Sequence, residues 1–97
     1  MSQIERAMYF KTKIEEAIHL KRLGSYDDAI AIYKHLIDID PHVPQVAEGI
    51  AKVFAVIGKY KDAHQCFGFA SHLYKTIGDE EKAILCNYAS GLFLNPD

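Results

Sequence analysis

The chain has 97 residues and a formal net charge of −2, with 49% apolar and 25% charged side chains. That length suits one domain with a modest core, and the composition is that of an ordinary soluble globule. The absence of net positive charge argues against a nucleic-acid or membrane-surface module.

Several other classes fall away on simple grounds. The start, Met1 to Ala7, has neither a basic lead nor a long apolar run, so it does not read as a signal peptide. No apolar stretch approaches the length of a membrane span. Cys66 and Cys86 are too few and too far apart for a disulfide scaffold, and both sit in apolar helical patterns that suggest buried thiols. The expected location is cytoplasmic. By segment the charge alternates, from +2 over residues 1–26 to −4, +3 and −3 over 27–48, 49–78 and 79–97. Mutually compensating helix surfaces account for such a pattern.

In chain order, Ser2 followed by Glu5 has the form of a capping box and predicts a first helix from about residue 3 to Leu23. Ile4, Ala7, Met8, Ile14, Ala17 and Ile18 recur at helical spacing and form its expected buried face. Gly24-Ser25 stops it. A second helix starts near Tyr26, with Asp27 and Asp28 in its first turn, where carboxylates oppose the positive end of the helix dipole. Its apolar stripe is Ala29, Ile30, Ile32, Tyr33, Leu36 and Ile37. Pro41 cannot continue it, and Pro44 suits the first position of a third helix running to Ile57, in which Gly49 marks a close helix contact. A fourth helix runs from Tyr60 to Ile77, and a fifth from Glu80 to Leu94.

One pattern organises these elements. Gly24, Tyr26, Ala29 and Tyr33 recur 34 residues later as Gly58, Tyr60, Ala63 and Phe67. That period belongs to helical repeat arrays. The glycine takes the left-handed cap that ends a helix, and the alanine lets the next helix lie close, so Ala29 and Ala63 should be buried at helix crossings. The pattern resembles the tetratricopeptide repeat family over roughly residues 10–97. The resemblance implies an all-α array of about five antiparallel helices in one domain. Repeat one would span about 10–43, repeat two about 44–77, and a C-terminal half-repeat about 78–97. Gly78-Asp79 follows Gly58 by only 20 residues, which leaves room for one helix where a regular array has two. The fourth helix would then serve two hairpins.

Residue chemistry points away from catalysis. His64 and Cys66 are two apart and diverge on a helix, while His64 and His72 have Gly68 between them. No Cys-x-x-Cys or His-x-x-x-His pair is present, so no metal and no cofactor is expected. Ser71-His72, His19, Asp38 and Asp40 lack a nucleophile elbow, and there is no Gly-rich phosphate loop.

The resemblance implies instead a concave groove lined by the first helix of each pair. Carried onto this chain, the groove row is Lys11, Ile14, Ile18 and Lys21, then Gln45, Glu48, Lys52 and Ala55. The implied partner is another protein, a peptide or amphipathic helix of acidic character. The basic and Asn positions that clamp a chaperone's terminal carboxylate in this family are here Ile14, Ile18, Gly49, Gln65 and Phe69, which argues against capture of such a tail. A small adaptor or scaffold is the leading expectation. A secretion-type chaperone that shields an apolar client segment is the alternative, and an uncharacterised enzyme the third. On the fifth helix, Ile84, Leu85, Tyr88, Ala89, Leu92 and Phe93 cover about half the circumference, with Cys86 at one margin, more than one neighbour needs. A homodimer through Ile84, Tyr88, Leu92 and Phe93 would cover the surplus, unless the first helix swings across to do so.

Overall fold

A computed structural model describes residues 1–94, and within them the chain forms five helices. They are α1 (Gln3–Arg22), α2 (Tyr26–Ile39), α3 (Pro44–Val56), α4 (Tyr60–Thr76) and α5 (Glu80–Leu92). Each packs against the next in sequence, and α3 also touches α1, so the helices form an all-α array of antiparallel neighbours. Residues 95–97 of the expected half-repeat lie outside the described residues.

Three corners share one geometry. Gly24, Gly58 and Gly78 all have φ near +80°, a conformation strained for any residue with a Cβ. At each corner the amide after the glycine donates to a carbonyl five residues back: Ser25 to Leu20, Lys59 to Phe54 and Asp79 to Tyr74, all at 2.9 Å. The glycine amide itself donates to Lys21, Ala55 or Lys75, which completes the double hydrogen bond of a Schellman closure. The third corner is therefore a full copy of the other two. α4 lies between α3 and α5 and packs on both.

The ends are set by local chemistry. Ser2 Oγ accepts from the Glu5 amide at 3.1 Å, and the Asp79 carboxylate accepts from the Lys82 amide at 3.2 Å. Pro44 occupies the first turn of α3. Asp40 ends α2, where it accepts from the His42 amide at 2.9 Å and from Arg6 of α1 at 2.7 Å. That second contact ties the α2–α3 connection back to the start of the chain.

The core is a row of clusters. Phe10, Ala17, Ala29, Tyr33, Leu36, Val46, Ile50 and Val53 join α1, α2 and α3. Ala51, Ala63 and Phe67 join α3 to α4, while Ala47, Ala70, Leu73, Tyr74, Ala83 and Cys86 run on to α5. Ala29 and Ala63 are fully buried, as their place at the crossings requires. Gly49 has a specific reason to lack a side chain, because a Cβ there would stand 2.5 Å from the ring of Tyr33.

Two expected faces are corrected. On α1, the expected Ala17 is buried and Ile14 partly so, but the large buried residue is Phe10, with Tyr9 and Leu20 partly buried; Ile4, Ala7 and Met8 are exposed and Ile18 is 36% exposed. The helix is turned so that its aromatics face α2, where Tyr9 Oη meets His35 Nε2 at 2.9 Å. The end of α2 reaches only the level of Arg6, so Ile4 has no helix opposite.

On α5, the buried side is Ala83, Cys86 and Ser90, not the row of larger residues. α4 and α5 approach closely through small residues, and Ser90 Oγ would lie 3.4 Å from a Cβ at Gly68. Ser71 Oγ donates to the Ala83 carbonyl at 2.7 Å, and Ser90 Oγ to the His64 carbonyl at 2.8 Å. Helix five thus seats small and polar groups inward and leaves Ile84, Leu85, Tyr88 and Leu92 outside. Helix one does not swing across to cover them, since the helix that α5 packs on is α4.

Candidate functional site: a two-part groove

Two adjoining hollows open along α1 and α3. The larger, about 740 Å³, is lined by residues of the first half of α1 together with Asp40, Val43 and Gln45. The smaller, about 360 Å³, is lined by the second half of α1, the middle of α3, and single residues of α2, α4 and α5. Ile14 and Gln45 belong to both and form the divide.

Most of the expected groove row meets here. Ile14, Ile18, Lys21, Gln45, Glu48 and Lys52 line the smaller hollow. Lys11 lies in the larger one, beside Phe10 and Ile14. Ala55 lines neither hollow and is half-buried against the Ala51, Ala63 and Phe67 cluster. A helix repeats each face every 3.6 residues, so a row read from sequence stays on one side only for about two turns before neighbours intervene. Ile14, partly buried against the core, and Ile18 both line the hollows, because α3 covers only part of this side of α1.

The larger hollow is apolar and electrically balanced. Phe10, Ala7, Ile14 and Val43 supply its surface. Arg6 is committed to Asp40 at 2.7 Å and lies over the Phe10 ring at 5.9 Å, while Lys11 and Glu15 add one charge of each sign.

The smaller hollow is cationic. Among the described residues, Lys21, Arg22, Lys52 and Lys82 share this hollow with a single acid, Glu48. Both oxygens of Glu48 are engaged: Oε1 accepts from Tyr74 Oη at 2.6 Å, and Oε2 forms an ion pair with Lys52 Nζ at 3.1 Å. Burial first, and then the hydrogen bond to Glu48, push the Tyr74 phenol far above its ordinary range, so it stays a donor. Burial, then the same carboxylate, raise Tyr33 as well. The pair forms a neutral aromatic floor beneath the cations.

Sequence reasoning missed Tyr33, Tyr74, Arg22 and Lys82 as parts of this site. Lys82 carried a signal. Counted from the corner glycines, the fourth residue on is Asp28, Asp62 and Lys82, so the third corner reverses the charge. Tyr74 could not be found in this way, because only packing brings α4 under Glu48.

Two side chains of nucleophile or base type, Ser71 and His64, hold helices together. Ser71 bonds to Ala83, and His64 Nδ1 donates to the Ser90 carbonyl at 2.8 Å. On α5, Ile84, Leu85, Tyr88 and Leu92 are 60–69% exposed. Phe93 does not belong with them, which corrects its place in the expected self-association surface. It stacks on Tyr60 and Phe67 with ring centroids 5.6 and 6.0 Å apart, and so closes the end of the core.

No helix among the described residues is long and apolar enough to cross a membrane. No curated protein matches the chain. Residues 18–43, from the last turns of α1 through α2 to the connection before α3, match the family model described as Tetratricopeptide repeat. That family is in general a protein-interaction fold and not an enzymatic one. Residues 18–43 are thus similar to a tetratricopeptide repeat, and one corner built three times with five helices packed in sequence is consistent with an all-α repeat array of that kind.

Proposed function

We propose that the protein is a small adaptor or scaffold that holds a segment of another protein in the groove between α1 and α3. The observation that carries this is the meeting of Ile14, Ile18, Lys21, Gln45, Glu48 and Lys52 around one concavity that continues into an apolar hollow. A site of this kind offers apolar surface for affinity and placed charges for register and association rate. The neighbouring reading, a chaperone for an extended apolar client, fits less well. Four cations in the smaller hollow would have to be desolvated against carbon, at a cost that an acidic segment avoids.

The test is site-specific photo-crosslinking in a native extract. A photoreactive residue at Gln45, exposed where the hollows meet, should capture a partner. The same residue at Lys34, exposed on α2 and lining neither hollow, should not. Equal capture at both positions would remove the groove from the account.

A second surface is favoured by the α5 ridge. Ile84, Tyr88 and Leu92 recur every four residues, so a two-fold axis at Tyr88 would set Ile84 of one copy against Leu92 of the other. A homodimer through this ridge should sediment as a dimer at micromolar concentration, and Leu92→Glu should split it into folded monomers. A monomeric wild type ends that reading.

A further inference from the structure

We infer that the groove recognises a two-part ligand, a polypeptide segment that seats a bulky apolar side chain in the larger hollow and neighbouring carboxylates in the smaller one. The inference rests on the groove being the binding surface, and it specifies what the groove selects.

The charges of the two hollows are the first ground. In the larger, Arg6 is spent on Asp40 at 2.7 Å and the remaining charges balance. In the smaller, Glu48 neutralises only Lys52. Lys21, Arg22 and Lys82 have no carboxylate within 4.0 Å among the described residues. Three cations around one concavity with a low-dielectric floor repel each other, and an acidic ligand relieves that repulsion.

Helix stability explains part of this cluster and not all of it. Lys21 and Arg22 lie in the last turn of α1, where cations oppose the negative end of the dipole. Lys82 lies in the first turn of α5, where the dipole favours an acid. The equivalent residues after the other two corners are Asp28 and Asp62, and neither lines the groove, so the exception falls at the one position of the three that does. The Tyr74 ring, with its centroid 5.5 Å from Lys82 Nζ, packs against this side chain.

The spacing follows from α1, which runs past both hollows. Phe10 and Lys21 are eleven residues apart, roughly 17 Å along a helix. An extended segment covers that distance in about five residues. The favoured ligand therefore has an apolar anchor and an acidic pair or triplet about five positions apart.

Three fluorescein-labelled peptides test this by anisotropy at low and high salt. The full probe carries Phe-Leu, four Gly/Ser residues and three Glu; one control has Gln for Glu, the other Ser for Phe-Leu. The full probe should bind best and lose affinity with salt, and each control should bind more weakly. Lys21→Gln with Lys82→Gln should weaken the full probe on the order of tenfold and flatten its salt dependence, without changing the weak binding of the Gln control. Lys34→Gln, an equal change of charge outside the groove for each substitution, should leave binding as it was. If the Gln control binds as well as the full probe, the acidic half of the inference is wrong, although the groove itself stands. An equal loss per charge with Lys34→Gln would reduce the effect to net charge and overturn the site. Failure of the full probe to saturate at millimolar concentration overturns the two-part ligand, and crosslinking at Gln45 then decides the groove separately.

Discussion

The first hairpin and the last close the same corner but pack by opposite means. α1 and α2 meet through large side chains, with Phe10, Tyr33 and Leu36 buried between them and α3. α4 and α5 meet through Ala70, Ala83, Ser90 and Gly68, and two serine hydroxyls bond across to backbone carbonyls. Bulky contacts hold helices apart and leave hollows beside them, so the groove lies along α1. On α5 the small residues Ala83 and Ser90 draw it close to α4, whose Leu73 and Tyr74 supply the large buried side chains, so the large residues of α5 other than Phe93 point outward. Position on the inside of a helix is therefore set by the neighbour's size as much as by the residue's hydrophobicity.

The sharpest way to break this contrast is to truncate a leucine on each side. Leu36 is fully buried and Leu92 is 60% exposed. Leu36→Ala should cost about 2–5 kcal/mol, from lost transfer energy and the cavity left behind. Leu92→Ala should change the monomer's stability by no more than about 0.5 kcal/mol. Urea unfolding of the two variants checks it, and equal losses would place Leu92 in a core.

A pair of glycine substitutions probes the same point with smaller effects of opposite sign. At Gly49 a new Cβ meets the Tyr33 ring at 2.5 Å, and that ring is buried at 1% exposure and cannot swing away. Gly49→Ala should destabilise by about 1–3 kcal/mol. At Gly68 the nearest atom is Ser90 Oγ at 3.4 Å, an ordinary contact. Gly68→Ala should stabilise by roughly 0.5–1 kcal/mol, because a helix-interior glycine loses more freedom on folding than alanine does. Thermal melts that move in the same direction would contradict the account of the two packings.

The smallest effect is absent at neutral pH. Burial raises the Cys86 thiol above its ordinary 9.0, and burial followed by Asp62 raises Cys66. Tyr33 and Tyr74 are raised above 10.0. Raised folded-state values mean that the unfolded chain loses these protons first, so their contribution is complete below pH 9 and declines as pH rises through the folded values. The melting temperature should hold steady through neutral pH and fall above about 9. In a variant with Cys66→Ala and Cys86→Ala, the fall should begin nearer the tyrosine range. An unchanged onset would remove the thiols from the explanation.

Much of the architecture was legible because it is local. A glycine that needs positive φ, a proline that cannot continue a helix and a serine or aspartate that caps one act within five residues, so the helix ends came within two residues of their expected places. The groove was half legible. Lys21 and Ile18 follow from the rise of one helix, whereas Tyr74 and Lys82 enter from helices that no row on α1 can foresee.

What the sequence by itself determined was the set of helices, the three corners and the order of neighbours, since each follows from backbone preferences along a short stretch. Tertiary structure alone decided which face each helix turned inward. α1 could bury Ile4 and Met8 or, as it does, Phe10, and α5 could bury Tyr88 or Ser90, with a hydrophobic period that allows either case. The choice depends on how closely the partner helix approaches, and on whether its small residues and carbonyls can take a hydroxyl in place of a ring. The same choice also set the chemistry of the groove, because it leaves Lys82 beside Tyr74 and lets Ile14 and Ile18 line the smaller hollow.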